Sequence, residues 1–366
     1  MAETTSQQDA DTVLILGAQG FIGTELRRRL APNYRLLSVD LRPGDPIRSH
    51  MGDDDLCREK LFQADLGDTR QIDELWDAIP DAEFSRLRGV IHLAAHYDFK
   101  NKPDRRYDRL HHALEHLLQR IDERVPAGVP LLYASSMASM APTEPGMALT
   151  EHSPRLGAWA YPAFKIKAED VIRDANLERA TVELVLAGVY SNLCELVPLF
   201  KQIELVRSRS FEKYFYPGPT DRGLTYVHVE EVSRAFEMAL EEFFGGRGIE
   251  RFLIGQESPV TYREIHDRSA QAFYGKDLPL QRIPRALAYL GAKVLGAGAR
   301  QVGKRRFIQP WMIEFAGEHF EFDLSHTRER LGWSPWRSLH DDLDRILQLA
   351  AFHPDVWLEV NEQRPW

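Results

Sequence analysis

The chain has 366 residues, 43% hydrophobic and 28% charged, which is the composition of a globular protein long enough for one large or two interlocked cores. Its formal net charge of −9 argues against nucleic acid or an anionic membrane as the main partner. No run of about 18 apolar residues is available to insert across a bilayer; the nearest stretch, 286–299, is short and carries Lys293.

Residues 1–11 are polar and acidic, lack the basic-then-apolar pattern of a signal peptide, and read as an unstructured lead-in. "TVLILG" then reads as an apolar strand, Phe21–Leu30 as a helix, "YRLLSVD" as a second strand and "KLFQADL" as a third. "QIDELWDAI" is helical, "RGVIHLAA" a fourth strand, and Arg105–Arg124 a long polar helix. "VPLLYASS" is a fifth strand, 160–176 a helix and "TVELVLAGVY" a sixth strand. Strands alternating with helices predict a doubly wound parallel α/β sheet with helices on both faces. Ligands of such sheets sit at the carboxyl ends of the strands.

Beyond Tyr190 the rhythm loosens. A helix over 195–209 precedes the loop "YFYPGPTDRG", "LTYVHVEEV" and "ERFLIG" return to α/β character, and Thr261 and Glu264 have capping-box spacing. Helices and short aromatic segments follow. The expected organisation is a cofactor domain over 12–190 to which 224–256 returns, and a smaller, mostly helical α+β substrate domain from 191–223 and 257–366.

Gly17, Gly20 and Gly23 lie between the first strand and the first helix. Glycines there let backbone N–H groups approach a pyrophosphate at a helix N-terminus. Asp40 ends the second strand, 23 residues after Gly17, where a carboxylate can accept from both ribose hydroxyls of NAD and repel the 2′-phosphate of NADP. Taken alone, the glycines fit any tight βα turn and Asp40 a surface turn; together they point to a dinucleotide, with Arg42 leaving some room for NADP. Tyr161 and Lys165 are four apart on a helix and share a face. A phenol titrates near pH 10, too high for proton transfer at neutral pH, and a nearby lysine cation and the nicotinamide charge would lower it. Ser136, 25 residues before Tyr161 at the end of the fifth strand, could hydrogen-bond the same substrate oxygen.

These features resemble the extended short-chain dehydrogenase/reductase family of NAD-dependent epimerases and dehydratases. "GAQGFIG" is similar to its glycine turn, "VIHLAA" to its fourth strand, "YASSMA" to its serine strand and "YPAFKIKAED" to its tyrosine–lysine helix. "LAGVY", "YVHVEEV" and "RERLGWSP" match later signatures, so the resemblance spans nearly the whole chain. It implies a Rossmann domain and NAD held by Gly17, Gln19, Gly20, Phe21, Ile22, Gly23, Asp40, Asp65, Leu66, Ala94, Ala95, Ser135, Tyr161, Lys165, Gly188 and Val189. Catalysis would fall to Ser136, Tyr161 and Lys165, with hydride moving between NAD and a carbon bearing oxygen. A homodimer through the helices 105–124 and 160–176 is a further implication.

Departures from the sugar-nucleotide members select a branch. Those members carry an asparagine where this chain has Gly188, an arginine near the position of Leu224 (Arg222 falls early), and "VYG" where Ser139, Met140 and Ala141 stand. The expected reaction is therefore NAD-dependent oxidation or reduction of a secondary alcohol or ketone in a small, rather apolar substrate. The alternatives are a sugar-nucleotide epimerase or dehydratase with recycled NAD, and a non-catalytic NAD-binding sensor or scaffold. The helical asparagine of relatives falls near Leu110, beside His111 and His112, which read as surface positions. His96, Asp98, Met137, Tyr190 and Arg222 are the expected substrate contacts, and the aromatics Trp159, Phe211, Tyr214, Phe215 and Tyr216 wall the pocket or pack the core. His92 and His228 read as structural. No His/Cys/carboxylate cluster suggests a metal, and two lone thiols, Cys57 and Cys194, fit a reducing compartment, so a cytoplasmic location is expected.

Overall fold

The computed structural model describes residues 11–42, 59–97, 101, 104–175, 177–208, 210–301 and 308–362. Residues 1–10 of the lead-in, Cys57 and Asp98 lie outside them.

Seven strands form one parallel sheet. They are β1 (Thr12–Leu16), β2 (Arg35–Asp40), β3 (Glu59–Gln63), β4 (Leu87–His92), β5 (Leu131–Ser136), β6 (Ala180–Leu186) and a late strand, Gly248–Ile254. The spatial order is the late strand, β6, β5, β4, β1, β2, β3. β1 is wholly buried and pairs in parallel with β2 (Val13 opposite Leu36) and β4 (Val13 opposite Gly89). Chain direction across the sheet reverses between β1 and β4, so the loops leaving their carboxyl ends diverge and open a crevice. Both faces are covered, as continuous apolar strands require. One core gathers Val13, Ile15, Leu184, Phe236 and Trp333. The opposite one gathers Leu14, Leu16, Trp76, Leu117 and Tyr133.

The helices that reach the crevice are α1 (Phe21–Leu30), α2 (Arg105–Arg124) and α3 (Ala160–Asp174). Asp104 caps α2 by accepting from the Arg106 N–H at 2.9 Å. His111 lies on the inner face of α2 with Tyr107, Leu114 and Leu118 and is buried, which corrects its reading as a surface position; only His112 is exposed. The spacing 107, 111, 114, 118 is that of a buried helical stripe.

The sixth strand does not run unbroken to Tyr190. Ala187 N–H still donates to Ile254 in the main sheet (2.9 Å), but Gly188 N–H turns to the Thr225 carbonyl (3.2 Å). Residues Gly188–Tyr190, here β7, then pair with Tyr226–His228. The change of partner carries the chain away from the sheet to a further core of Tyr190, Phe200, Ile265, Leu339, Ile346 and Trp357. The capping-box pair behaves as expected on the donor side: the Thr261 hydroxyl accepts from the Glu264 N–H at 3.0 Å and opens the helix Tyr262–Tyr274.

Candidate functional site

The glycine turn has three different reasons for its three glycines. Gly17 has φ +92°, and a Cβ there would lie 2.8 Å from the Ala94 nitrogen, so it binds the ends of β1 and β4 together. A Cβ on Gly23 would lie 2.4 Å from the Gly17 carbonyl oxygen and 2.7 Å from Ala18 backbone atoms. Gly20 is different: its added Cβ would meet only the Gly17 oxygen, at 3.4 Å, and its other side faces open space at the head of α1. No side chain caps that helix, leaving the positive end of its dipole for an anion. Asp40 holds the turn from the neighbouring strand, accepting from Gln19 N–H at Oδ2 (2.9 Å) and Arg42 N–H at Oδ1 (3.1 Å). Arg42 Nε also reaches Oδ1 at 3.5 Å, so of the roughly four acceptor positions of a carboxylate about one remains, at Oδ2, for a ribose hydroxyl unless Arg42 swings away.

Across the crevice, β5 and the first turn of α3 bring Ser136, Tyr161 and Lys165 together. The Ser136 hydroxyl lies near the Tyr161 phenol and favours its ionised form. Ser136 also accepts from the Ala138 N–H at 3.2 Å, which fixes its rotamer. Lys165 is buried and donates to the Ala134 carbonyl at 2.8 Å and the Tyr133 hydroxyl at 3.4 Å; its Nζ stands 5.9 Å from the centre of the Tyr161 ring. Burial pushes the Tyr161 phenol up to about 12, against a downward pull from the Ser136 hydroxyl. Burial pulls the Lys165 ammonium down to about 8, opposed by the Glu169 carboxylate one turn on. In the protein alone the phenol is thus raised; the expected lowering by lysine and the nicotinamide charge together belongs to the NAD-bound site. Desolvation of the phenolate is the larger effect on the phenol.

A cavity of about 1920 Å³ runs from the glycine turn past Tyr161 into the late segments. Gly17, Gln19, Gly20, Phe21, Ile22, Gly23, Ala95, Ser135, Ser136, Tyr161, Lys165, Gly188 and Val189 are on its wall. Asp40, Asp65, Leu66 and Ala94 are not: Asp65 is occupied by the Gly67 N–H (2.8 Å) and Arg109 (3.0 Å), and Leu66 is packed in the core. Ser135 reaches the cavity by its strand position, yet its hydroxyl donates to the buried Glu169 carboxylate.

Among the expected substrate contacts, His96 and Met137 line the cavity, and His96 Nε2 is 3.8 Å from Asp104. Tyr190 does not: its hydroxyl donates to Asp342 at 2.9 Å inside the separate late core. Arg222 is also absent from the wall, its guanidinium paired with Glu144 and reaching the Gly317 carbonyl at 3.5 Å. Trp159, Phe211, Phe215 and Tyr216 are on the wall, whereas Tyr214 packs against the small cluster of Val206, Ala270 and Leu278.

Tyr97 follows His96 in the sequence and Trp159 is among the expected wall aromatics, but their mutual packing and the roles of Tyr226, Glu318 and Glu169 are visible only in the structure. Tyr97 sits edge-on to Tyr161 at 4.6 Å between ring centres, and Trp159 stacks between Tyr161 (5.7 Å) and Trp311 (5.4 Å). Tyr226 fills the space beside Gly188, where a Cβ would lie 2.9 Å from its ring. Glu318 faces the cavity from the late segments; burial lifts its carboxyl to about 7 against the pull of Arg285. Glu169 was visible in "YPAFKIKAED" but not its role: fully buried, it accepts from Ser139 (3.3 Å), Arg155 (3.3 Å) and Arg251 (3.1 Å) and braces the lysine turn against β5. Among the described residues no group of three or more His, Cys, Asp or Glu could hold a metal ion.

Comparison with known proteins follows this geometry. The model of the NAD dependent epimerase/dehydratase family matches residues 13–255. No curated protein matches the sequence. Solved structures with the same fold include UDP-glucose 4-epimerase of Thermotoga maritima with UDP-glucose, at 18% identity and a TM-score of 0.64 over 94% of this chain and 99% of that one. UDP-glucose 4-epimerase of Thermus thermophilus in complex with NAD is 20% identical, with a TM-score of 0.62 over 92% and 98%. UDP-N-acetylglucosamine 4-epimerase of Methanobrevibacter ruminantium, in complex with UDP-N-acetylmuramic acid, is 15% identical, with a TM-score of 0.64 over 95% and 99%. At these identities the likeness is one of fold.

Proposed function

The chain belongs to the NAD-dependent epimerase/dehydratase family, and on that premise we propose that it oxidises a secondary alcohol, or reduces the matching ketone, in a small and largely apolar substrate. The family's cofactor is NAD. The glycine cradle fits it: Gly17 and Gly23 leave no room for a side chain, and the open flank of Gly20 exposes an uncapped helix N-terminus. The turn and α1 would hold the pyrophosphate, Asp40 the adenosine ribose, and Lys165 the nicotinamide ribose. When bound, NAD supplies a hydride acceptor or, reduced, a hydride donor. Tyr161 takes the hydroxyl proton of an alcohol or gives one to a ketone oxygen, and Ser136 steadies that oxygen by hydrogen bonding. Lys165 holds positive charge beside the phenol, favouring its ionised form. We assign the sheet, with 12–190 and 224–256, to the cofactor and the segments 191–223 and 257–366 to the substrate.

One observation carries the choice of substrate: Tyr226 occupies the place beside Gly188 where a sugar-nucleotide enzyme would present its asparagine. Arg222, tied to Glu144 away from the wall, adds to it. The apolar side chains Trp159, Trp311, Met312 and Phe315 then form the wall beyond Tyr161. Lys201 on the same wall favours a second reading, a sugar-nucleotide epimerase, because its cation could meet a diphosphate, whereas the Lys213 ammonium is already held by the Ser208 carbonyl (3.1 Å) and the Tyr274 hydroxyl (2.6 Å). Absorbance at 340 nm with NAD and a panel of secondary alcohols separates the two: net reduced cofactor supports the dehydrogenase, and turnover of a UDP-sugar without net change supports the epimerase. Tyr161→Phe should abolish turnover in either case while sparing NAD binding. Unchanged turnover would sink the proton-transfer role.

A further inference from the structure

Among the described residues, the helix Arg285–Gln301 differs from the other long helices in having no buried side chain over 285–295. Leu287, Leu290 and Val294 have exposures of 56, 57 and 63%. Their spacing of three and four puts them on one face. Other exposed apolar side chains, such as Trp336 and Phe352, stand singly, as surface apolar residues commonly do. The same three leucine and valine side chains also belong to the cavity wall, with Trp311 and Phe315 behind them, so apolar surface is continuous from solvent into the site.

The charge of this segment is as distinctive as its exposure. From 281 to 301 the sequence has no acidic residue, while Arg282, Arg285, Lys293 and Arg300 are basic, in a chain whose net charge is −9. Arg285 and Lys293 are exposed along the flank of the apolar face, with Lys293 Nζ lying 4.5 Å over the Tyr289 ring. On its own helix the exposed leucine and valine have only cations as charged neighbours, although the turn Pro310–Phe315 packed against it carries an exposed Glu314 and Glu318 lies near Arg285. An apolar face bordered by cations is the chemistry of a helix lying in the interface of an anionic bilayer, apolar face among the acyl chains and cations at the headgroups.

We propose that this helix docks the protein peripherally on an anionic lipid surface, bringing the cavity wall against the acyl chains. The overall negative charge argues against such a partner for the molecule as a whole; this helix is the local exception. Docking of this kind needs no membrane-crossing segment, and no helix among the described residues is long and apolar enough to be one. An apolar substrate dissolved in the bilayer would then pass along Leu290 and Val294 without crossing water.

The test is sedimentation of the full chain with vesicles of phosphatidylcholine alone and of phosphatidylcholine with phosphatidylserine, at low and high salt. The expected result is binding to the anionic vesicles only, weakened by salt. Lys293→Glu should lower the partition coefficient by at least roughly fivefold, the effect of about one cation at the surface. The double variant L290E/V294E should abolish binding, with NAD binding and thermal melting as the check that it is folded; if it is not, Lys293→Glu decides alone. Absence of binding by the wild type, or binding that neither substitution reduces, overturns the proposal. So does a dimer in light scattering that L290E/V294E converts to monomer, since a second copy would then be what covers the face.

Discussion

Gly20 and Gly23 belong to one motif, yet the structure gives their replacement by alanine opposite outcomes. At Gly23 the new Cβ would sit 2.4 Å from the Gly17 carbonyl oxygen and 2.7 Å from Ala18, all of it backbone that is pinned to β2 by the Gly17 and Ala18 N–H bonds to Val39 (2.8 and 3.0 Å). Alanine in a helix gains up to about 1 kcal/mol over glycine, but overpacking against fixed atoms costs roughly 1–3 kcal/mol. Gly23→Ala should therefore be destabilised by about 1–2 kcal/mol, and its distorted turn should bind NAD poorly. At Gly20 the nearest atom to a Cβ is 3.4 Å away, an ordinary contact, so Gly20→Ala should melt within about 0.5 kcal/mol of the wild type. Its methyl group, however, projects where the pyrophosphate must approach, and NAD affinity should fall at least about tenfold, the equivalent of one charge-assisted hydrogen bond of about 1.5 kcal/mol. Urea unfolding and calorimetric titration with NAD measure the two quantities separately. Wild-type stability in Gly23→Ala, or wild-type NAD affinity in Gly20→Ala, would refute the division of labour in the turn.

Lys165 loses its proton as the pH rises through about 8, so NAD affinity should weaken above that pH, roughly fivefold for the change from a charged to a neutral donor; Lys165→Met should bind weakly at every pH and remove the transition. Burial, with help from the Lys165 cation, pulls His92 down to about 4, and burial pulls His228 to about the same value. Both take up a proton on unfolding between pH 6.5 and 4, so stability is present above that window and lost as the pH falls through it, by about 1.4 kcal/mol per unit for each group. Unfolding curves at pH 7 and pH 5 check this, and His92→Asn should flatten the slope. Gly188→Asn should cost about 1–3 kcal/mol because its side chain meets the Tyr226 ring, and Tyr226→Ala should recover part of that loss in a double-mutant cycle; strict additivity would show that Tyr226 does not fill the space.

The parts of the fold and site that are legible in the sequence are those fixed by local periodicity. β1 is a threonine followed by four apolar residues in a row because it is buried on both faces, and Tyr161 and Lys165 share a helix face because 3.6 residues make a turn. Partner switching in the sixth strand is not local: the apolar run through Ala187 continues unchanged, and only the Thr225 carbonyl, 37 positions further along the chain, shows why Gly188 leaves the main sheet. The same holds for the electrostatics of the site. A Tyr-x-x-x-Lys spacing suggests a lowered phenol, but the pair's charge balance depends on burial and on Glu169, whose carboxylate is shared among Ser139, Arg155 and Arg251 from three other segments.

Gly188 shows how an absence in the sequence acquires meaning. As a departure from the sugar-nucleotide pattern it says only that one polar contact is missing. With the Tyr226 ring 2.9 Å and the Leu196 side chain 3.0 Å from where a Cβ would be, the missing asparagine could not return without moving an aromatic side chain that is 2% exposed. The position has thus been given over to packing rather than left open for a substrate. Under the proposed function, that compensation is what turns a lost contact into an argument for an apolar substrate, because Tyr226 and Leu196 belong to the same cavity wall as Trp159 and Trp311.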